Sequence, residues 1–573
     1  MIKQLFLLSV VLTISVSVWA ELPKRILMVS AEKLHVKKTG GLAEATAGLQ
    51  AALNALGIPV DFMIPAYRQM EDQERHSLQK NFDVGLDYQN GRPQKVSRFS
   101  LSSDSGTFSK TYFLEHMNRL GEINYFDNSV NTSEKYPSSY TPNNIEGEAW
   151  GAWSKATAEF ILSQNYDLVI LNDWHTAAIA IFLDMAKKEG RKVPKVNMTI
   201  HNMAFQGEYP KDLIRFLGIP ESYYQTGQGI EYHGRINFMK GALVFSDAIT
   251  SVSEKYAQEI TTTSDFGSGL EGVLREEKSK GKLVGILNGI TQAEWNPSLS
   301  YHPEIKWTFS AEDFSGKAKG KAYLQQSMGL TVDAKAPVFI STSRIAEQKG
   351  FDYLVSALEV LVRTTSSQVL MIGNGDAKYM DPLYALAKKF PNRFSIGEFN
   401  KDLEKRFTAY GDFFINAARF EPSGLNQQFS QANGTIPIVS NTGGLSDSVK
   451  DGIDGLKFDL QKAQDGKIDV AATSAVLAKT LKSAANLYRT NPAQILKLKQ
   501  AAIRVDNSWT KRVEQKYFGI LNYIMESGPQ KIQAKHLQSE VLSRTNLNIE
   551  QLTQLSGVGP FKIPPRLCRN IFE

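Results

Sequence analysis

A single cysteine, Cys568, in 573 residues excludes internal disulfides, iron–sulfur clusters and cysteine-type zinc sites. Asp-x-Asp occurs nowhere in the chain, so there is no carboxylate triplet to hold a divalent ion on a diphosphate. Only eight histidines are present, and Asp173-x-His175 has no further ligand cluster beside it, so no metal site is expected. Excess charge is scarce as well: the net charge is +6, and residues 529–573, with six basic and three acidic side chains, supply half of it. A body this close to neutral implies neither a nucleic-acid nor a membrane surface. Long apolar runs are missing with one exception, residues 5–18 behind Lys3. Followed by Val18-Trp19-Ala20 before Glu21, that run reads as an export signal at residues 1–20. It is shorter than the ~20 residues a bilayer span needs. The expectation is a periplasmic or secreted protein with no stable membrane span, a cytoplasmic one being the alternative.

With 42% hydrophobic and 22% charged residues, the chain buries a sizeable core and is globular. Short apolar runs alternate with helical patterns, the signature of βαβ units around a parallel sheet. One series comprises residues 25–30, 60–64, 168–171, 196–200 and 248–252, with a helical stretch at 41–56; a second comprises 338–342, 369–372, 413–415 and 436–439. The fold class is therefore α/β, with two doubly wound Rossmann-like domains at residues 21–287 and 304–505. A hinge at 288–303, with Trp295-Asn296-Pro297 and no strong periodicity, joins them. Residues 506–528 read as a helix, with Trp509, Val513, Tyr517, Leu521 and Ile524 at three- and four-residue spacing. The remaining tail, 529–573, is basic and polar. Its residues 545–560 resemble half of a helix-hairpin-helix motif, but an amphipathic helix stopped by Gly557 and Gly559 accounts for them too, and no nucleic-acid partner is expected.

In doubly wound folds functional groups collect at the C-terminal ends of strands. Lys38-Thr39-Gly40-Gly41 follows the first strand, and Thr442-Gly443-Gly444 follows the strand at 436–439. Glycine lets backbone amides approach a diphosphate because no Cβ intervenes, and the next helix offers its positive end. A plain tight turn explains either loop alone. Arg344 and Lys349 sit just past the strand at 338–342. Fixed cations of this kind neutralise a departing diphosphate in place of a metal, although Arg-x4-Lys by itself also fits solvated surface charge. Asn172-Asp173-Trp174-His175 and His201-Asn202 end two strands of the first series, where histidines serve structure or function. Glu421, in Glu421-Pro-Ser-Gly-Leu425, offers a carboxylate to sugar hydroxyls or to a helix N-terminus.

In order and in register, KTGGLA, DWH, TIHNMAFQG, GLEGVL, GILNG, SRIAEQKG, IGNGD, RFEPSGL and NTGGLSDSV resemble the bacterial glycogen synthase and plant starch synthase family. These are retaining glucosyltransferases of the GT-B fold that use ADP-glucose. The resemblance covers residues 25–525 and implies two Rossmann-like domains facing a central cleft. It implies transfer of glucose from ADP-glucose to the non-reducing end of an α-1,4-glucan, with retention and without a metal or other cofactor. On the same ground His201 lies beside the transferred glucose, Asp173 joins it in catalysis, and Asp173, His175 and Glu44 shape the acceptor side. Lys38, Gly40 and Gly41 face the donor phosphates, Arg344 and Lys349 neutralise the departing ADP, and Glu421 holds sugar hydroxyls. Asn288, Gly373, Thr442, Gly443 and Gly444 complete the donor pocket, and the helix at 506–528 crosses back to the first domain.

Four positions depart from the family pattern: Glu44 replaces Asp, Asn172 replaces the first His of His-Asp-Trp-His, Ser423 replaces Cys and Asn426 replaces Thr. The aromatic that stacks on adenine aligns with either Glu398 or Phe399, and the acceptor region at 125–153 diverges. Two alternatives stay open on these residues: an exported glucan-binding protein with weakened turnover, and a synthase using another donor such as UDP-glucose.

Overall fold

The structure, a computed structural model, describes residues 22–34, 36, 38, 40–67, 78–104, 108–116, 145–298 and 304–526. The export signal at 1–20, the tail at 529–573 and most of the divergent stretch at 125–153 lie outside the described residues.

The first domain is built on strands β1 (Ile26–Val29), β2 (Val60–Pro65), β3 (Leu78–Gln89), β4 (Arg92–Ser103), β5 (Thr111–His116), β6 (Leu168–Asn172) and β7 (Lys195–Ile200). They are followed by β8 (Glu208–Pro210), β9 (Glu231–Tyr232), β10 (Arg235–Asn237), β11 (Ala248–Ser251) and β12 (Leu283–Gly285). Its main sheet has nine strands in the order β12-β11-β7-β6-β1-β2-β5-β4-β3, and β8, β9 and β10 form a small separate sheet. The sheet is parallel from β12 to β5, where helices cover both faces, and every residue of β1, β2 and β6 is buried. Continuous apolar runs such as Ile-Leu-Met-Val belong in strands of this kind. Strands β3 and β4, twelve residues each, form an antiparallel hairpin added at one edge. The sequence reading missed it, because its alternation of polar and apolar residues lacks the apolar run that marks a buried strand.

Strands β13 (Val338–Thr342), β14 (Gln368–Ile372), β15 (Phe394–Gly397), β16 (Phe413–Asn416), β17 (Ile436–Ser440) and β18 (Leu456–Phe458) form the second domain. Their order is β15-β14-β13-β16-β17-β18, all parallel. Helix Ser315–Ser327 carries Leu324 into the core with Val338, Ile340 and Phe414. It also sends Lys317 inward, wholly buried, to donate to the Ala409 carbonyl (2.5 Å), the Asn433 carbonyl (3.0 Å) and Thr435 Oγ1 (2.6 Å). Burial pushes its ammonium well below the usual lysine range, and the nearby Lys499 adds to this.

Between the two sheets, residues 288–298 lean on the second domain: Trp295 stacks on Phe429 at 3.6 Å, and Asn433 Nδ2 donates to the Trp295 carbonyl at 2.7 Å. The stretch read as one helix from 506 begins as a helix at Trp509–Arg512, loosens into a π turn over Val513–Tyr517 and resumes at Phe518–Glu526. Ser508 pairs with Ile290 of the linking stretch, and the segment then returns to the first domain, where Trp509 lies against helix Gly41–Ala55 and Gly48 leaves no Cβ in the way. Residues 23–517 make one compact unit, and the helix Phe518–Glu526 belongs to another. Among the described residues no helix is long and apolar enough to cross a membrane.

Candidate active site

The C-terminal ends of β6 and β7 bring Asn172, Asp173 and His201 together. Asp173 opens helix Trp174–Lys188 from a left-handed backbone, φ 58°, a conformation that costs a non-glycine residue about 1 kcal/mol or more and is kept only where the surroundings enforce it. What enforces it is the neighbouring turn: Asp173 Oδ1 accepts from the backbone N–H groups of His201 (2.7 Å) and Asn202 (3.2 Å). Burial pushes the carboxyl up to about 7 against the pull of those two amides, and Glu32 adds to the rise. The His201 ring meets Asn172 Oδ1 through Nε2 at 3.0 Å, and burial drives its pKa down to about 3. His175 stacks on Trp174 at 4.0 Å and meets the edge of Trp150 at 4.9 Å. Its Nδ1 is buried without a hydrogen-bond partner, and burial takes this ring to about 3 as well. Both imidazoles are therefore neutral near pH 7.

Around His201 a small cavity is lined by Asn172, Thr199, Ser251, Asn288, Trp509 and Tyr517 among others. Asn288, just past β12, thus lines the same cavity as His201, while Trp509 and Tyr517 of the returning C-terminal segment line it too. Lys38 and Glu44 form an ion pair, so the longer carboxylate at 44 holds the lysine expected at the donor phosphates. Gly40 N–H donates to Glu32 Oε2 at 3.1 Å, and Gly41 sits 3.5 Å, at an added Cβ, from Leu425 of the second domain. The acidic Glu404 faces this loop from the second domain. Burial pushes it up to about 7, with Lys38 opposing and Glu44 reinforcing.

In the second domain Lys349 Nζ and Glu421 Oε2 meet at 2.5 Å, both largely buried. Arg344, on the same loop, is exposed and donates to Gln348 Oε1 at 3.4 Å. The two cations therefore have different partners, and only Lys349 is held in a buried pair. Gly373 supports that loop: a Cβ there would stand 2.1 Å from the Ser343 carbonyl. Gly443 and Gly444 pack against the segment carrying Glu421. An added Cβ would come within 2.0 Å of the Glu421 carbonyl and 2.1 Å of the Ser423 carbonyl, Gly443 has φ +43°, and Gly444 N–H donates to the Glu421 carbonyl at 2.9 Å. The glycine pair is thus spent on the close approach of two loops. Asn426, where the family has Thr, donates through Nδ2 to the Thr342 carbonyl (2.6 Å) and to Thr342 Oγ1 (3.1 Å).

One cluster escaped the sequence reading. Helix Glu254–Glu259, just after β11, carries the first domain onto the second. Ser253 Oγ donates to the Pro422 carbonyl (2.5 Å), and Lys255 N–H donates to Asp447 Oδ2 (2.8 Å). Glu259 Oε1 accepts from Gly443 N–H (3.1 Å) and from Thr442 Oγ1 (3.2 Å). Burial raises the Glu259 carboxyl against those two bonds. Each Thr-Gly-Gly turn thus has a glutamate on its backbone, Glu32 at Gly40 and Glu259 at Gly443. Tyr256 stands in the middle: its buried hydroxyl accepts from Met203 N–H at 3.0 Å and lies in the field of Asp173, Glu259 and Glu421. The signal for this helix was Ser253, whose hydroxyl caps it by accepting from Tyr256 N–H. Among the described residues no group of three or more His, Cys, Asp or Glu side chains is arranged to hold a metal ion.

Residues 25–276 match the family model of the starch synthase catalytic domain, and residues 326–484 match that of glycosyl transferases group 1. Glycogen synthase of Marinobacter nauticus is 33% identical over 502 residues, covering 85% of this chain and 95% of its own. Glycogen synthase of Myxococcus xanthus is 32% identical, with 84% and 96% covered. The solved catalytic domain of starch synthase IV from Arabidopsis thaliana, bound to ADP and acarbose, superposes with a TM-score of 0.72 at 24% identity, over 88% of this chain and 99% of that one. This last likeness establishes the two-domain GT-B fold.

Proposed function

Because the chain belongs to the glycogen synthase family, we propose that it extends α-1,4-glucan, moving glucose from ADP-glucose to the non-reducing end with the anomeric configuration kept. The bond from C1 to the donor phosphate breaks, a bond from C1 to the acceptor 4-oxygen forms on the same face, and the acceptor hydroxyl proton leaves on the departing ADP. The observation that carries this reading is the Lys349–Glu421 pair at 2.5 Å, one residue before the contact of Pro422 with Ser253. It sets a cation for the leaving diphosphate beside a carboxylate for sugar hydroxyls, where the domain holding Asp173 and His201 touches the domain holding the pair. Arg344, exposed and held to Gln348, supplies the second cation. Neutral imidazoles at 175 and 201 suit a sugar that becomes positively charged as its bond to phosphate stretches. We read the reaction as needing no metal, since Lys349 and Arg344 together answer the charge of the leaving group.

Incubation of the purified chain with labelled ADP-glucose and glycogen is expected to put label into polymer, undiminished by a chelator and lost in Arg344→Ala and Lys349→Ala. Label from UDP-glucose alone would identify a different donor, and glycogen affinity without incorporation would identify a glucan-binding protein. Residues 1–20 are proposed as an export signal, on their apolar run and small-residue cleavage site. N-terminal sequencing of the protein from its own cell should then begin at Glu21, and a retained Met1 would refute export by cleavage.

A further inference from the structure

We propose that Asn172 is a positioning residue for transfer: its carboxamide fixes the ring proton of His201 on Nε2 and leaves Nδ1 as a hydrogen-bond acceptor. The consequence for catalysis rests on the functional reading above; the tautomer itself does not.

The direction of the Asn172 amide follows from its second partner. Nδ2 donates to the Val29 carbonyl at 3.0 Å, so Oδ1 is the atom turned to the ring, 3.0 Å from Nε2. Turning the amide over would set its oxygen against the Val29 carbonyl oxygen, two acceptors with no proton between them. An amide oxygen accepts only, so Nε2 must carry the hydrogen. Asn172 has little freedom to do otherwise. It is 2% exposed, its N–H donates to Thr176 Oγ1 at 2.8 Å, and Thr176 Oγ1 also lies 3.2 Å from its carbonyl oxygen. The backbone of His201 is pinned by the next residue along, through the 2.7 Å bond from its N–H to Asp173. Consecutive side chains at the end of β6 thus fix both the peptide and the ring of the same histidine.

The titratable groups packed around His201 are Asp173, with Glu32 behind it, Tyr256 on helix Glu254–Glu259, and Tyr517 on the returning segment. Asp173 is committed to backbone amides and Tyr256 to Met203 N–H. Nε2 therefore has a neutral partner, and burial takes the ring to about 3. A carboxylate at 172 would draw a second proton onto the ring, and a histidine, the usual family residue, would donate or accept as its own proton moved. A primary amide does neither. The ring stays uncharged beside a sugar that develops positive charge, and Nδ1 stays available for a sugar hydroxyl.

Ring nitrogen NMR of the full chain labelled with 15N-histidine tests this, His201 being assigned by the signal lost in His201→Gln. The wild type is expected to show a neutral His201 ring protonated on Nε2 from pH 5.5 to 8, so that any change of its kcat over that range follows the Asp173 carboxyl, pushed up to about 7, and not the ring. In Asn172→Asp the His201 ring is expected to titrate within the range. Between pH 8 and pH 6 its kcat should then fall at least tenfold further than that of the wild type, while KM for ADP-glucose changes less than threefold. Asn172→Ala is expected to give mixed tautomers and a lower kcat at every pH. A wild-type ring protonated on Nδ1 overturns the proposal, as does a folded Asn172→Asp whose ring signals and pH profile match the wild type. If neither variant folds, the wild-type spectrum still decides the tautomer. If the wild type transfers no glucose, the functional reading and the role of Asn172 in transfer fail together, while the spectrum still decides whether Asn172 fixes the tautomer.

Discussion

Lys349 and Glu421, 72 residues apart, meet at 2.5 Å with only 17% and 12% of their side chains exposed. Each neutralises the other, so removing one leaves a largely buried charge without its partner.

Lys349→Ala is accordingly expected to lower kcat by about 10²–10³-fold, the range for losing one fixed donor at a developing negative charge. It should also cost about 1–3 kcal/mol of stability, less than a fully buried pair because some solvent reaches both groups. Glucose incorporation and urea denaturation measure the two effects separately.

Gly443→Ala should damage both stability and turnover. The new Cβ would stand 2.0 Å from the Glu421 carbonyl oxygen at φ +43°, so the segment holding Glu421 has to move. Gly452→Ala is the control, with φ +70° but open space around it. It should lose only the conformational preference, about 1 kcal/mol, and keep its activity. Equal losses in the two variants would show that crowding against Glu421 does not matter.

Glu259→Ala removes the acceptor for Gly443 N–H and Thr442 Oγ1 at once. About 1–3 kcal/mol of stability should go with it. Glu259→Gln keeps an oxygen in place and should lose a third of that or less, as read from the midpoint of a urea titration.

Histidine burial gives a pH dependence of fixed sign. The folded His175 ring titrates near 3 rather than 6.5, so between those values the unfolded chain binds more protons. Stability present above pH 6.5 is therefore lost as pH falls towards 3. By pH 5 the loss is about 1–2 kcal/mol for one such ring. His175→Phe keeps the stacking surface on Trp174 and should raise Tm at pH 5 relative to pH 7 compared with the wild type, the raised carboxyls of Asp173 and Glu404 acting with the opposite sign in both proteins, whereas an unchanged difference would rule out a buried neutral His175.

The strands of both sheets were legible wherever a buried apolar run ended in polar residues, as at Leu168–Asn172 and Val338–Thr342, because a parallel strand covered on both faces leaves no other composition available. The hairpin of β3 and β4 was not, since an edge ribbon with polar and apolar residues mixed carries no such run. At the site, Asp173, His201, Lys349 and Glu421 could be read from their places after strands. What they touch could not. Lys349 reaches Glu421 through a loop whose shape depends on Gly350, packed 1.9 Å, at an added Cβ, from the Ala417 carbonyl. Glu259 reaches Gly443 only because the second domain lies against its helix. Spacing along the chain holds no record of either encounter.

Lys317, enclosed by three oxygen acceptors in the second domain, is shut away from reagents that acylate surface amines. Its rate of labelling, followed by peptide mass mapping, is a clock for the opening of that core, and a ligand that grips the second domain should slow it.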